Sequence, residues 1–112
     1  MDKAKSWGKL TPSQRLWLEV FGVYGLPKLD EGKVLAIVDR LPQRERMAVR
    51  LRFGFEGKKL TLGEIGERLN RADRRKLTGV SREIARLELK KALRRLGYPK
   101  CRKAWEEAIK RI

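Results

Sequence analysis

Apolar residues recur at three- and four-residue steps along almost the whole chain, and nowhere do they alternate as in a half-buried strand. This period predicts an all-α fold, a small multi-helix bundle. Thr11 and Pro12 form an N-cap and first-turn pair. The helix they open carries Trp17, Val20, Phe21 and Tyr24 on one face, a stripe that reads as core rather than as a cofactor box, and Gly25 and Pro27 are expected to end it. Asp30 caps a second helix with Val34, Ile37, Val38 and Leu41 at core spacing. Pro42 starts a third, Gln43 to about Phe53, which ends at Gly54. Residues 55–60 read as a loop around Gly57.

The next signals are denser. Thr61 and Glu64 form a T-x-x-E capping box, with Leu60 and Ile65 placed as a hydrophobic staple. The fourth helix is expected to run to about Leu69, with Leu62, Ile65 and Leu69 inward. Gly63 and Gly66 lie inside its pattern and are expected to allow close helix packing. Residues 70–78 are polar and basic. Ser81 is expected to cap a fifth helix that stops at Gly97. After Pro99, a last amphipathic helix carries Ala104, Trp105, Ala108, Ile109 and Ile112 on one side.

Charge narrows the partner. The 112 residues hold 29 Lys and Arg against 14 Asp and Glu, a formal net charge of +15. Residues 1–40 contribute only +2 of this, and residues 41–112 contribute +13. A surface rich in ion pairs needs both signs, so it does not explain that excess. Nucleic acid is the commonest counterpart, with an acidic membrane surface as the competitor. The lone Cys101 permits no internal disulfide, which fits a cytoplasmic protein. It reads as a partly buried thiol, since no histidine exists to activate it. No stretch has the apolar length of a membrane span, and the first ten residues lack the apolar centre of a signal peptide. With no metal set and no phosphate loop, neither an enzyme nor a cofactor or metal site is expected.

The fourth and fifth helices carry the chemistry. A helix-turn-helix braces the phosphate backbone with one helix and inserts the first turns of the next into the major groove. On the fifth helix Arg82, Arg86, Lys90 and Arg94 recur every four residues as a cationic ridge, widened by Lys91 and Arg95. Ala85, Leu89, Ala92, Leu93 and Leu96 form the opposing apolar face. Arg82, Glu83 and Arg86 lie where base edges would be reached, since arginine pairs with guanine and a carboxylate accepts from cytosine. Lys90 and Arg94 lie further along, where phosphates are met. Spacing alone also fits a solvated helix with a basic face.

Three ordered blocks sharpen the reading. L-P-Q-R-E-R-M-A-V-R-L-R-F-G-F at 41–55, T-L-G-E-I-G-E-R-L at 61–69, and G-V-S-R-E-I-A-R-L-E-L-K-K-A-L-R-R-L at 79–96 resemble region 4 of sigma-70 family factors. The resemblance spans roughly residues 31–99. It implies reading of a promoter element in double-stranded DNA and docking on the flap of the RNA polymerase β subunit. It implies base or nearby backbone contacts for Arg82, Glu83 and Arg86, and a phosphate at the helix start marked by Thr61. Residues 1–29 then form a helical extension, and residues 30–112 the region 4-like domain with a C-terminal helix, all within one compact unit.

Three departures stand out. The family usually has glutamine where this chain has Leu87, which implies that one base-reading contact is lost. Residues 70–78 are inserted in the turn; they contain Arg71, Arg74, Arg75 and Lys76, and are expected to act as a basic arm rather than as part of the fold. Other sigma regions are absent from the sequence, so a stand-alone regulator, a split-sigma subunit or a phage-type factor is expected. A second reading is a polymerase-docking module or anti-sigma-like inhibitor without sequence-specific DNA reading. A third, RNA binding, is opposed by the shortage of exposed aromatics for stacking. Trp7, Trp17 and Phe21 complete the core or dock a partner.

Overall fold

A helix start leaves backbone N–H groups without intrahelical partners, and the Thr11–Gln14 pair satisfies two at this end of the chain. The Thr11 hydroxyl accepts from the Gln14 N–H at 3.2 Å, and the Gln14 side chain accepts from the Thr11 N–H at 3.2 Å. Pro12 follows at the one position where a missing donor costs nothing. The computed structural model describes residues 10–22, 26–73 and 81–110. Among them lie six helices: α1 (Pro12–Phe21), α2 (Glu31–Val38), α3 (Gln43–Phe53), α4 (Leu62–Asp73), α5 (Ser81–Leu96) and α6 (Pro99–Ala108).

The start of α2 and the end of α3 follow the sequence signals. Asp30 Oδ1 accepts from the Lys33 N–H at 3.1 Å. Gly54 ends α3 in the left-handed conformation, φ 86°, and donates to the Arg50 carbonyl. A side chain there would also press its Cβ to 3.0 Å from the Gly57 carbonyl oxygen, so glycine is required twice over.

Helix α5 is the hub, packed on α4, α3 and α1, while α6 lies against α2. Ala85, Leu89, Ala92 and Leu96 bury one stripe of α5 against Ile65 and Leu69 of α4, Val49 of α3 and Leu16 of α1 in one continuous core. Trp105 of α6 is 1% exposed, and its indole N–H donates to the Leu96 carbonyl at 3.0 Å. Trp17 and Phe21 stack on it edge-on, with centroids 5.6 and 5.4 Å away. Two backbone bonds then tie the end of α6 to the start of α2, Asp30 N–H to the Ala108 carbonyl and Lys110 N–H to the Lys28 carbonyl, each 2.8 Å. Between them sits an isolated antiparallel bridge, Leu29 with Ile109.

Several boundaries differ from the sequence reading. Helix α1 stops at Phe21, because Gly22 takes φ 85° and donates to the Leu18 carbonyl. The first available glycine ends it, not Gly25; Tyr24 and Gly25 lie outside the described residues. Its inward residues are Ser13 and Leu16, while Trp17 and Val20 are half-buried and Phe21 is exposed. Helix α4 continues four residues past Leu69 to Asp73. Residues 70–73 are polar apart from Ala72 and contain no helix breaker, and polarity alone does not stop a helix. The segment expected to be a separate arm therefore begins inside α4. Ser81 is the first residue of α5 rather than the residue before it. Pro99 likewise belongs to α6, whose cap is Tyr98. Gly66 is buried, but a Cβ on Gly63 would meet only Thr61 Oγ1, at 3.9 Å, so close packing does not require a glycine there. Trp7 and Ile112 lie outside the described residues.

Replacing Trp105 with alanine removes the ring that joins α1, α5 and α6 and leaves the Leu96 carbonyl without its donor. The expected loss is about 3–5 kcal/mol, measured by chemical or thermal unfolding. An unchanged melting temperature would mean that α6 is an appendage.

Candidate nucleic-acid interface

The start of α4 is built by the predicted capping box. Thr61 Oγ1 accepts from the Glu64 N–H at 3.2 Å, and Glu64 Oε1 accepts from the Thr61 N–H at 3.0 Å. Bonds from the Thr61 backbone and side chain hold the Glu64 carboxyl below the usual glutamate range, and the charges of Lys58 and Arg68 add to this. Leu60, half-buried, and Ile65, fully buried, pack into the core beside it.

The loop before α4 folds back onto α3. The Leu60 N–H donates to the Leu51 carbonyl at 3.0 Å, and the Arg52 guanidinium reaches the Leu60 carbonyl at 3.3 Å. This fold-back brings Arg52 and Lys59 beside α5. The result is an open groove of about 690 Å³ whose rim carries Arg15, Arg52, Lys59, Arg86 and Lys90, with Glu19 as its one carboxylate. Thr61 lies at its edge, and Leu18, Phe53, Leu60 and Leu89 line its floor. Three predicted residues, Thr61, Arg86 and Lys90, are thus brought together. Sequence reasoning misses Arg15, Arg52 and Lys59, because each comes from a different part of the chain and only the tertiary fold unites them.

Along α5 Ala85, Leu89, Ala92 and Leu96 are buried as predicted while Leu93 is half-buried, and Arg82, Glu83, Arg86, Lys90 and Arg94 are all exposed. Arg82 and Arg94 lie outside the groove lining. Arg86 and Glu83 are not independent readers. The guanidinium grips the carboxylate with both a Nε bond of 3.0 Å and a second, shorter one. The pairing pushes the Glu83 carboxyl down and the Arg86 guanidinium up. Arg82, Lys90 and Arg94 form no ion pair among the described residues and remain available to an outside anion. The Ser81 side chain and all of Arg74 and Arg75 lie outside the described residues.

Arg95 also departs from the sequence reading. It does not widen the ridge but turns toward α3, where its Nε stands 3.0 Å from Oε1 of Glu45, a carboxylate only 5% exposed. The alignment makes this a close ion pair rather than a well-formed hydrogen bond at that oxygen. Lys91 is drawn to Glu88 at 3.4 Å, and Arg44 of α3 approaches the same carboxylate at 4.0 Å. The Arg95–Glu45 and Arg44–Glu88 pairs link α5 to α3 and restrict its rotation, while Lys91–Glu88 lies within α5. Cys101 is half-buried, with its thiol donating to the Arg95 carbonyl at 3.4 Å. The described residues hold no group of side chains suited to a metal ion, and none of their helices is long and apolar enough to cross a membrane.

Two packed helices, the first capped by threonine and the second offering a cationic outer face, define a helix-turn-helix protein of the DNA-binding class. Residues 37–75 match the family model described as Sigma-70, region 4, so this stretch of the chain is similar to that region. The match runs from the end of α2 through α3 and α4. No solved structure is a significant match to the chain.

Thr61→Ala removes a cap whose usual worth is about 1 kcal/mol, and a lower unfolding midpoint is expected. A carboxyl with a depressed folded pKa stabilises above its unfolded pKa and loses that contribution as pH falls through the folded value. The difference between wild type and Thr61→Ala should therefore shrink on acidification below the ordinary glutamate range. A difference constant from neutral pH to well below that range would show that Glu64 takes no part in the cap.

Proposed function

We propose that this protein is a DNA-binding transcription regulator acting on promoter DNA and RNA polymerase, with no catalytic activity, in the cytoplasm. The first turns of α5 enter the major groove. Arg82, together with the Glu83–Arg86 pair once it opens, reads base edges, and Ser81 lies at the same end. Lys90 and Arg94 meet phosphates. Thr61, at the positive end of the α4 dipole, receives a phosphate of the adjoining backbone. Arg74 and Arg75 add phosphate contacts. Residues 30–112 form the DNA-binding domain and residues 1–29 its extension, from which Arg15 joins the basic rim.

The observation that carries this reading is the convergence of five cations from four separate segments on one groove beside the exposed face of α5. Ion pairs distributed for stability would bring matching carboxylates, and here only Glu19 and Glu83, the partner of Arg86, are set against five cations. The apolar floor of the same groove supports a second reading, docking on the polymerase β flap without sequence-specific reading.

Duplex binding should be steeply salt-dependent. If about five phosphates are neutralised, log affinity should fall against log salt with a slope of about −4 to −5. Titrations at several salt concentrations measure this, and a flat profile refutes the DNA reading.

Arg82 and Lys90 should differ in kind. Arg82→Ala should cost about 1–3 kcal/mol on a preferred site and relax specificity, whereas Lys90→Ala should weaken all sequences alike. Competition between specific and random duplexes separates the two. Equal losses on both duplexes for both variants would favour the docking reading.

A further inference from the structure

We infer that Leu87 is a specificity-determining residue that reads the C5-methyl group of a thymine in the major groove. The inference rests on the DNA-binding reading of α5. Ala85, Leu89, Ala92 and Leu96 fix which side of the helix faces the core. At roughly 100° per residue, Leu87 stands about 170° from the middle of that stripe. It therefore occupies the crest of the helix, and it is 45% exposed. It is the seventh residue of α5, in the second turn, within the part of a recognition helix that reaches base edges.

The other exposed large apolar residues have a structural setting. Phe21 packs its ring on Trp17 and Trp105, and Tyr98, whose side chain makes no cap bond, lies past the far end of α5 from its first turns. Leu87 has no such setting. Its neighbours on the crest are Glu83, Lys90, Lys91 and Arg94, all charged and exposed. A partner that meets this face must offer anionic groups around an apolar spot. Duplex DNA does so where phosphates flank a major groove that displays a thymine methyl.

The side chain fixes the mode of reading. Leucine neither donates nor accepts, so it cannot satisfy the N4 amino group of cytosine or the N6 amino group of adenine. Pressed against those edges, it would strip water from a donor without replacing it. Against a thymine methyl it buries apolar surface on both sides. Arg86, the residue before Leu87, is drawn back to Glu83 one turn earlier, which leaves Leu87 on the crest.

The test uses the full chain and a duplex selected by it from a random pool. Each thymine of the selected site is replaced in turn by deoxyuridine, which lacks only the methyl. Burial of one methyl corresponds to about a fourfold change in affinity, so at one or two positions binding should weaken about fourfold. Leu87→Ala should bind the thymine and deoxyuridine duplexes equally, with its melting temperature unchanged because the side chain is exposed. If no thymine matters to wild type, or if Leu87→Ala keeps the same penalty, the inference is wrong while sequence reading by α5 stands. If the pool yields no preferred sequence at all, the regulatory reading fails and the inference with it. If Leu87→Ala leaves DNA binding untouched but weakens capture of RNA polymerase, Leu87 is a protein contact and the inference is overturned.

Discussion

The burial of one stripe of α5 holds the molecule together. Ala85 and Ala92 are small enough to let α3 and α4 approach closely, and Leu89 and Leu96 fill what remains. Every other element is placed by reference to that contact. The stripe also sets the rotation of α5 about its own axis, and hence which side chains face outward. The Glu45–Arg95 pair narrows that rotation further, since a nearly buried carboxylate without its cation would be costly. The helix offered to a partner is thus held in orientation by an apolar face behind and an ion pair at the side.

Charge has two uses on this surface. Arg50 bridges Asp39 and Glu56, Lys91 answers Glu88, and Arg95 answers Glu45; these cations stay at home. Arg82, Lys90 and Arg94 have no such counterpart among the described residues. Composition cannot separate the two sets, because both contribute equally to the net charge. Only the packing of α3 against α5 shows which basic residues are committed to the fold.

This division marks what is legible in the amino-acid sequence. Helix order, the Asp30 and Thr61 caps, the Gly54 stop and the α5 core face all follow from local chemistry, and local chemistry is what periodicity and capping rules describe. The helix ends that differ have local causes too. Gly22 competes with Gly25 for the same role, and residues 70–73 lack a breaker. The groove is illegible for another reason. Arg15, Arg52 and Lys59 are ordinary surface cations in their own segments, and become neighbours of Arg86 and Lys90 only because the loop after Gly54 turns back along α3. The pairing of Glu83 with Arg86 lies within reach of an i, i+3 rule, but a base-reading role for each residue separately hides it.

The ties between the end of α6 and the start of α2 join segments about eighty residues apart. Closing so long a loop is entropically slow relative to the local turns that form the other helices. On a ribosome, α2 through α5 emerge before residues 108–110, so α5 is synthesised before the fold can seal. Until then Trp105 has not covered the end of α5, and the aromatic residues of α1 face water. The interval exposes an apolar surface on a strongly basic chain, beside the polyanionic RNA of the ribosome. Correct folding in the cell therefore depends on how quickly the last thirty residues follow the first eighty.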